Sequence, residues 1–153
     1  MYQRILVPLD GSSAAAQGLR EAINLARDQG AEILLLHVVD EWRIAAGDIA
    51  AVNLDAGSKA LREAGAQLLK QAEEQVREAG IQAQTVLLEE LGVPIGECVV
   101  RRAQQWPADL IVCGTHGRHG VSRLLLGSNA EYIVRHASVP VLLVRKPGSN
   151  EAR

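Results

Sequence analysis

The sequence predicts an α/β protein: a single-domain, open, parallel five-stranded sheet with helices on both faces. Three observations carry that expectation. Five short apolar runs alternate with four longer stretches of helical periodicity, which implies parallel strands joined by right-handed crossovers. Three of the runs are apolar almost without interruption, as strands covered on both faces should be. Glycine signals follow the fourth run and precede the last helix.

Taken in order, the strands are expected at Ile5–Leu9, Ile33–Val39, Gln82–Leu88, Leu110–Cys113 and Val141–Val144. Ala15, Leu19, Ala22, Ile23 and Ala26 mark the buried face of a first helix, with Gly30 as its stop. Leu61, Gly65, Leu68, Leu69, Ala72 and Val76 mark the second, which Gly80 ends. Ile95, Val99, Val100 and Ala103 mark a shorter third helix. Pro94 suits its first turn and Trp106-Pro107 forbids its continuation. Ala130, Ile133, Val134 and Ala137 mark the fourth. The third strand mixes Gln82, Gln84 and Thr85 with apolar residues, which suits a sheet edge. Asp40 to Gly57 is a long connection that fits either a lid or variable surface. The domain is expected to span 1–146, with 147–153 as a flexible tail.

At 153 residues the chain suffices for one domain that buries about two-thirds of its unfolded surface. It contains no Phe, so the core must be built from Leu, Ile, Val and Ala. A formal charge of −2, with acids and bases interspersed, advertises no nucleic-acid surface. Tyr2, Trp42, Trp106 and Tyr132 are too scattered to form a stacking platform. Cys98 and Cys113 have no CxxC and no neighbouring His at metal spacing, so they read as buried thiols of a reducing compartment. No apolar run approaches a membrane span, and the expected location is the cytoplasm.

The chemistry concentrates between Asp109 and Val144. Strand, glycine loop, helix N-terminus, strand is the layout of a phosphate site, because a helix start offers unpaired N–H groups and the positive end of its dipole. Gly114, Gly117, Gly127 and Ser128 are the phosphate candidates, and Ser128 is expected to cap the fourth helix. Asp10, in Pro8-Leu9-Asp10-Gly11-Ser12, reads either as a turn or capping residue or as an acid facing a ligand. The second reading is preferred because Ser12 and Ser13 can cap the first helix without it. Arg118 reads equally as a charge on phosphate or as a solvated loop residue. Among the histidines, His37 reads as a satisfied core residue, His119 as exposed, and His136 as suited to a helix C-terminus. No Walker A lysine, GxSxG elbow, HExxH pair or CxxC is present. The chain is equipped to hold a nucleotide and not to attack one.

The spacing Gly114-x-x-Gly117, nine residues, Gly127-Ser128 resembles the G-2x-G-9x-G-(S/T) signature of the ATP-binding branch of the universal stress protein family. ILVPLDGS, LLLHVVD, ADLIVCGTHGR and VPVLLVR extend the resemblance over nearly the whole chain. It implies a Rossmann-like sheet of the adenine nucleotide alpha hydrolase type, in strand order 3-2-1-4-5. Strands one and four would then be neighbours where the winding reverses, and ligands bind there in open sheets. The resemblance further implies that Pro8, Leu9 and Asp10 line the pocket and that the Val38 backbone lies near adenine. It places Gly114, His116, Gly117, Gly127, Ser128 and Asn129 at phosphates and ribose. ATP, AMP or ADP would fit these donors, and a carboxylate beside triphosphate calls for Mg2+ or a ribose hydroxyl. It also implies a homodimer through Val139–Val144 and a sensor or regulatory role. A slow ATPase or self-phosphorylating protein, or an interaction module without nucleotide, are the alternatives.

Overall fold

The computed structural model describes residues 1–41, 54–115 and 126–145. The chain runs β1 (Arg4–Pro8), α1 (Ser13–Gln29), β2 (Glu32–Val38), α2 (Leu54–Glu78), β3 (Ala83–Leu88), α3 (Ile95–Gln105), β4 (Leu110–Gly114), α4 (Ser128–His136) and β5 (Val141–Val144). All strand pairs are parallel, in the order β3-β2-β1-β4-β5. The expected fold class and strand order are therefore observed.

Pleat alternation divides the core in two. Ile5, Val7, Leu9, Ile33, Leu35 and Val112 face α1 and α2, where they meet Leu19, Ala22, Leu69 and Val76. Leu6, Leu34, Leu36, Val38, Ile111 and Cys113 face α3 and α4, against Cys98, Val99, Ala130 and Ile133. Both faces of β1, β2 and β4 are covered, which explains their unbroken apolar sequences. β3 is half open to solvent, as its polar residues foretell.

Local chemistry sets most boundaries. Ser12 Oγ accepts from the Ala15 N–H at 3.1 Å, and Gly30 closes α1 in the left-handed conformation at φ 68. Gly80 ends α2 likewise at φ 76, and the Ile81 N–H returns to the Val76 carbonyl. α2 begins at Leu54, so the stretch expected to be a connection up to Gly57 is already helical over its last four residues. Gly57 reads as a breaker in sequence, whereas Asp55 in the first turn suits the helix dipole. Residues 42–53, where a lid was considered, and the tail 147–153 lie outside the described residues.

Asp109 ties the amino end of the sheet. Its carboxylate accepts from the Gln3 N–H at 2.9 Å and the Arg4 N–H at 3.1 Å, and its own N–H donates to the Arg4 carbonyl. The acid of the Ala-Asp-Leu-Ile-Val run is thus a strut between β4 and β1, at the end of the sheet opposite the glycine loop. Among the described residues no helix is long and apolar enough to cross a membrane.

Candidate functional site

The site is built where β1, β2, β4, α1 and α4 meet at the carboxyl edge of the sheet. The first device is Pro8. The Leu9 N–H donates to the Leu36 carbonyl on β2, so by alternation residue 8 faces β4. Proline has no N–H to give in that direction. The β1–β4 register accordingly covers Ile5↔Leu110 and Leu6↔Ile111, while the β1–β2 register continues to Pro8↔Leu36. The β1–β4 ladder ends at Leu6 and Ile111, at the reversal of winding where open sheets bind their ligands.

The second device joins the exit of β4 to the start of α4. The Gly127 N–H donates to the Thr115 carbonyl at 2.8 Å. Residues far apart in sequence are thereby pinned at the exit of β4, and Gly114 and the start of α4 become neighbours. The Thr115 N–H is itself used by the Val144 carbonyl on β5. Gly127 is the N-cap of α4, at φ −59, with no side-chain cap. The expectation that Ser128 caps this helix is therefore corrected: Ser128 is its first helical residue. The Gly127 amide, expected to grip phosphate, is instead spent on Thr115. The N–H groups of Ser128, Asn129 and Ala130 have no intrahelical acceptor, as in any first turn, and no described residue takes them. Ser128 and Asn129 are exposed above them.

Gly114 has a steric duty. A Cβ there would lie 2.6 Å from the Ala14 backbone carbon and 2.8 Å from the Ala15 nitrogen. The first turn of α1 can reach β4 only because residue 114 has no side chain, whereas a Cβ at Gly18, one turn on, would meet Cys113 at an ordinary 3.5 Å. Neither Gly114 nor Gly127 is at positive φ, so conformational freedom is not what either position requires. Gly11, at φ 80, does require it, in the turn after Asp10.

Asp10 takes part in that turn. Its Oδ1 accepts from the Ser12 N–H at 2.8 Å while Ser12 caps α1. The turn role weighed against a ligand role is therefore present, and it engages one carboxylate oxygen. Leu9 and Val38 are buried, at 5% and 6% exposure, so they would offer a ligand main chain more than side chain. His37 Nδ1 lies 2.7 Å from the Leu9 carbonyl, and the satisfied core histidine is as expected. His136 stacks on Tyr132 at the end of α4, with Nδ1 2.9 Å from the Tyr132 carbonyl. His116, Gly117, Arg118 and His119 lie outside the described residues. Among the described residues no group of three His, Cys, Asp or Glu side chains could hold a metal ion. Thr115, Gly18 and Gly65 went unread as site-builders. A core-facing glycine inside an amphipathic helix was the available signal for the last two.

Cys113, one residue before Gly114, is buried and unpaired with Cys98, and burial pushes its thiol up to about 12. Above the ordinary value of 9.0 the unfolded thiol ionises while the folded one does not. Its contribution to stability is complete below that pH and falls by about 1.4 kcal/mol per pH unit above it, until the folded thiol ionises too. Urea midpoints measured from pH 8 upward should fall faster for the wild type than for Cys113→Ala. Parallel slopes would contradict that environment.

Residues 1–145 match the Universal stress protein family. The chain belongs to the universal stress protein family. It is similar to Universal stress protein MJ0531 of Methanocaldococcus jannaschii, at 39% identity over 147 residues, covering 96% of this chain and 84% of that one. Among solved structures it is similar to MJ0577 of the same organism, with a TM-score of 0.82 and 27% identity over 97% of this chain and 99% of the other. Two more distant structures, a universal stress protein in complex with cAMP and one from Archaeoglobus fulgidus with dAMP, share the fold at 20% and 24% identity and TM-scores of 0.67 and 0.66. Those nucleotides belong to those proteins, and at this distance the likeness speaks for the fold.

Proposed function

We propose that this universal stress protein binds an adenine nucleotide in the crevice between β1 and β4 and acts as a homodimeric, cytoplasmic regulator in the stress response. The observation that carries the reading is the Thr115–Gly127 bond. It brings Gly114 and Gly127 together beside a helix start whose first amides lack internal acceptors. Such a start favours an anion, through its N–H groups and its dipole. Phosphates would take the amides of Ser128 to Ala130 and the Ser128 hydroxyl, with Gly117, His116 and Arg118 supplied by the loop. Ribose would meet Asp10 or Asn129, and adenine the main chain of Leu9 and Val38. ATP would come with Mg2+, which offsets the repulsion between Asp10 and the phosphates.

The dimer reading has its own support. β5 is a sheet edge, and its residues 142 and 144 face β4. Val141 and Leu143 therefore direct their main-chain groups outward from an apolar strand, and Leu142 is 38% exposed. Pairing with the same strand of a second copy would satisfy that edge. A second functional reading, slow hydrolysis or self-phosphorylation, is favoured by the exposed, uncapped position of Ser128.

Calorimetry with ATP, with and without Mg2+, and with AMP is the deciding experiment. Saturable binding strengthened by Mg2+ is expected, at a protein mass of two chains by sedimentation. Silence with every nucleotide would overturn the reading in favour of an interaction module. Phosphate release or a mass increase under ATP would favour the second reading.

A further inference from the structure

Along the β1–β2 ladder the bond after Leu9 N–H to Leu36 carbonyl should run from the Val38 N–H to the Leu9 carbonyl. No such bond is made. The Leu9 carbonyl is held by a side chain, with His37 Nδ1 at 2.7 Å. A carbonyl can only accept, so Nδ1 carries the hydrogen. The imidazole rises from β2 on the α2 face, and Gly65 makes room for it. A Cβ at position 65 would stand 2.5 Å from His37 Cδ2, 2.9 Å from its Nε2 and 2.9 Å from Leu87 Cδ1. The ring thus occupies the Leu9 carbonyl in place of the strand amide that should donate to it. The Val38 N–H keeps its direction. Ile33 and Val39 donate to Gln82 and Leu88 on β3, and Glu32 donates to Gln3, so even-numbered amides of β2 face the β1 side.

We propose that His37 is a positioning residue for the base-binding end of the crevice. By occupying the Leu9 carbonyl it keeps the Val38 N–H out of the ladder, available to a ring nitrogen of the base, and Gly65 is the slot that lets it do so. The inference rests on the nucleotide reading above and deepens it. A main-chain N–H at that point suits the bare acceptor nitrogen of adenine and opposes the N–H that guanine presents on the same edge. His37 touches no ligand in this account; it acts through Leu9 and Val38.

The test compares the wild type with His37→Leu, which cannot donate, and His37→Gln, which can, with thermal melts confirming that each is folded. Without ligand, the Val38 amide should exchange with solvent faster than the Val39 amide, which is bonded to Leu88 at 2.8 Å. In His37→Leu the ladder closes, and Val38 exchange should slow by about tenfold, a change worth one ordinary hydrogen bond. Calorimetry should show ATP binding weakened by about fivefold to tenfold in His37→Leu, a narrowed preference for ATP over GTP, and recovery of both in His37→Gln. Absence of ATP binding by the wild type overturns the nucleotide reading. ATP binding by the wild type, with Val38 exchange or the ATP-to-GTP ratio unchanged in His37→Leu, overturns this inference alone.

Discussion

Gly127→Val should weaken ATP binding by at least about 100-fold while leaving the fold intact, because the two roles of this position separate. Gly127 sits at φ −59 and ψ 147, a conformation that valine adopts without strain. Its N–H bond to the Thr115 carbonyl does not depend on the side chain and should survive. A branched side chain at the N-cap would, however, stand over the first turn of α4 and shade the amides of Ser128 and Asn129. A hydrogen bond to a charged group contributes about 1.5–3 kcal/mol, so losing two of them accounts for a drop of that size. Calorimetry with ATP reads the affinity and a thermal melt reads the fold. Unimpaired binding by Gly127→Val would place the phosphates elsewhere. Gly117→Val offers a parallel test at the loop position of the same signature.

Gly114→Ala should act in the opposite sense, on the fold before the ligand. The added methyl would lie 2.6 Å from the Ala14 carbonyl carbon, closer than real side chains approach backbone. No flexible side chain can yield there, since the opposing atoms are the main chain of the first turn of α1. Overpacking of this kind costs about 1–3 kcal/mol. For a domain of this length that corresponds to a fall in Tm of about 2–12 °C. The displaced turn also carries the Ser12 cap and the Asp10 loop, so ATP affinity should fall with stability. Gly18→Ala should by contrast be tolerated, because its added methyl would meet the Cys113 carbonyl carbon and the Gly114 nitrogen at 3.5 Å, ordinary van der Waals contact, within a helix that favours alanine. A Gly114→Ala protein as stable as the wild type would mean that α1 shifts freely over β4. In that case the crevice is less rigid than its packing suggests.

The two glycines illustrate how much of the site could be read from residues in a line. Their spacing, followed by a polar helix start, was legible because phosphate sites use glycine and helix starts in a recognisable order. Their separate duties were not. One removes a collision with the first turn of α1, far earlier in the chain, and the other lends its amide to the Thr115 carbonyl. Both facts depend on what stands opposite in space. Ser128 shows the same limit. Its type suits a cap, but capping depends on which residue leaves helical geometry first, and here that residue is Gly127. Asp10 suits both a turn and a ligand by its type and neighbours, and in the fold one of its oxygens is engaged in the turn.

Hydrophobic periodicity by itself determined the fold class, the strands and helices of the described residues, the two-sided burial of β1, β2 and β4, and the open edge of β3. These follow from local alternation and burial, which every residue reports independently of its distant neighbours. β1 was displaced by one residue at both ends, and β2 was displaced likewise. A strand ends where its ladder ends, and a ladder has two sides. Only the tertiary structure decided how the crevice opens and what floors it. Pro8 withholds an N–H from β4, Asp109 ties the far end of the same pair, and His37 diverts the Leu9 carbonyl from Val38. Each is a hydrogen bond made or refused between segments that meet only after folding, and neither composition nor period encodes a partner.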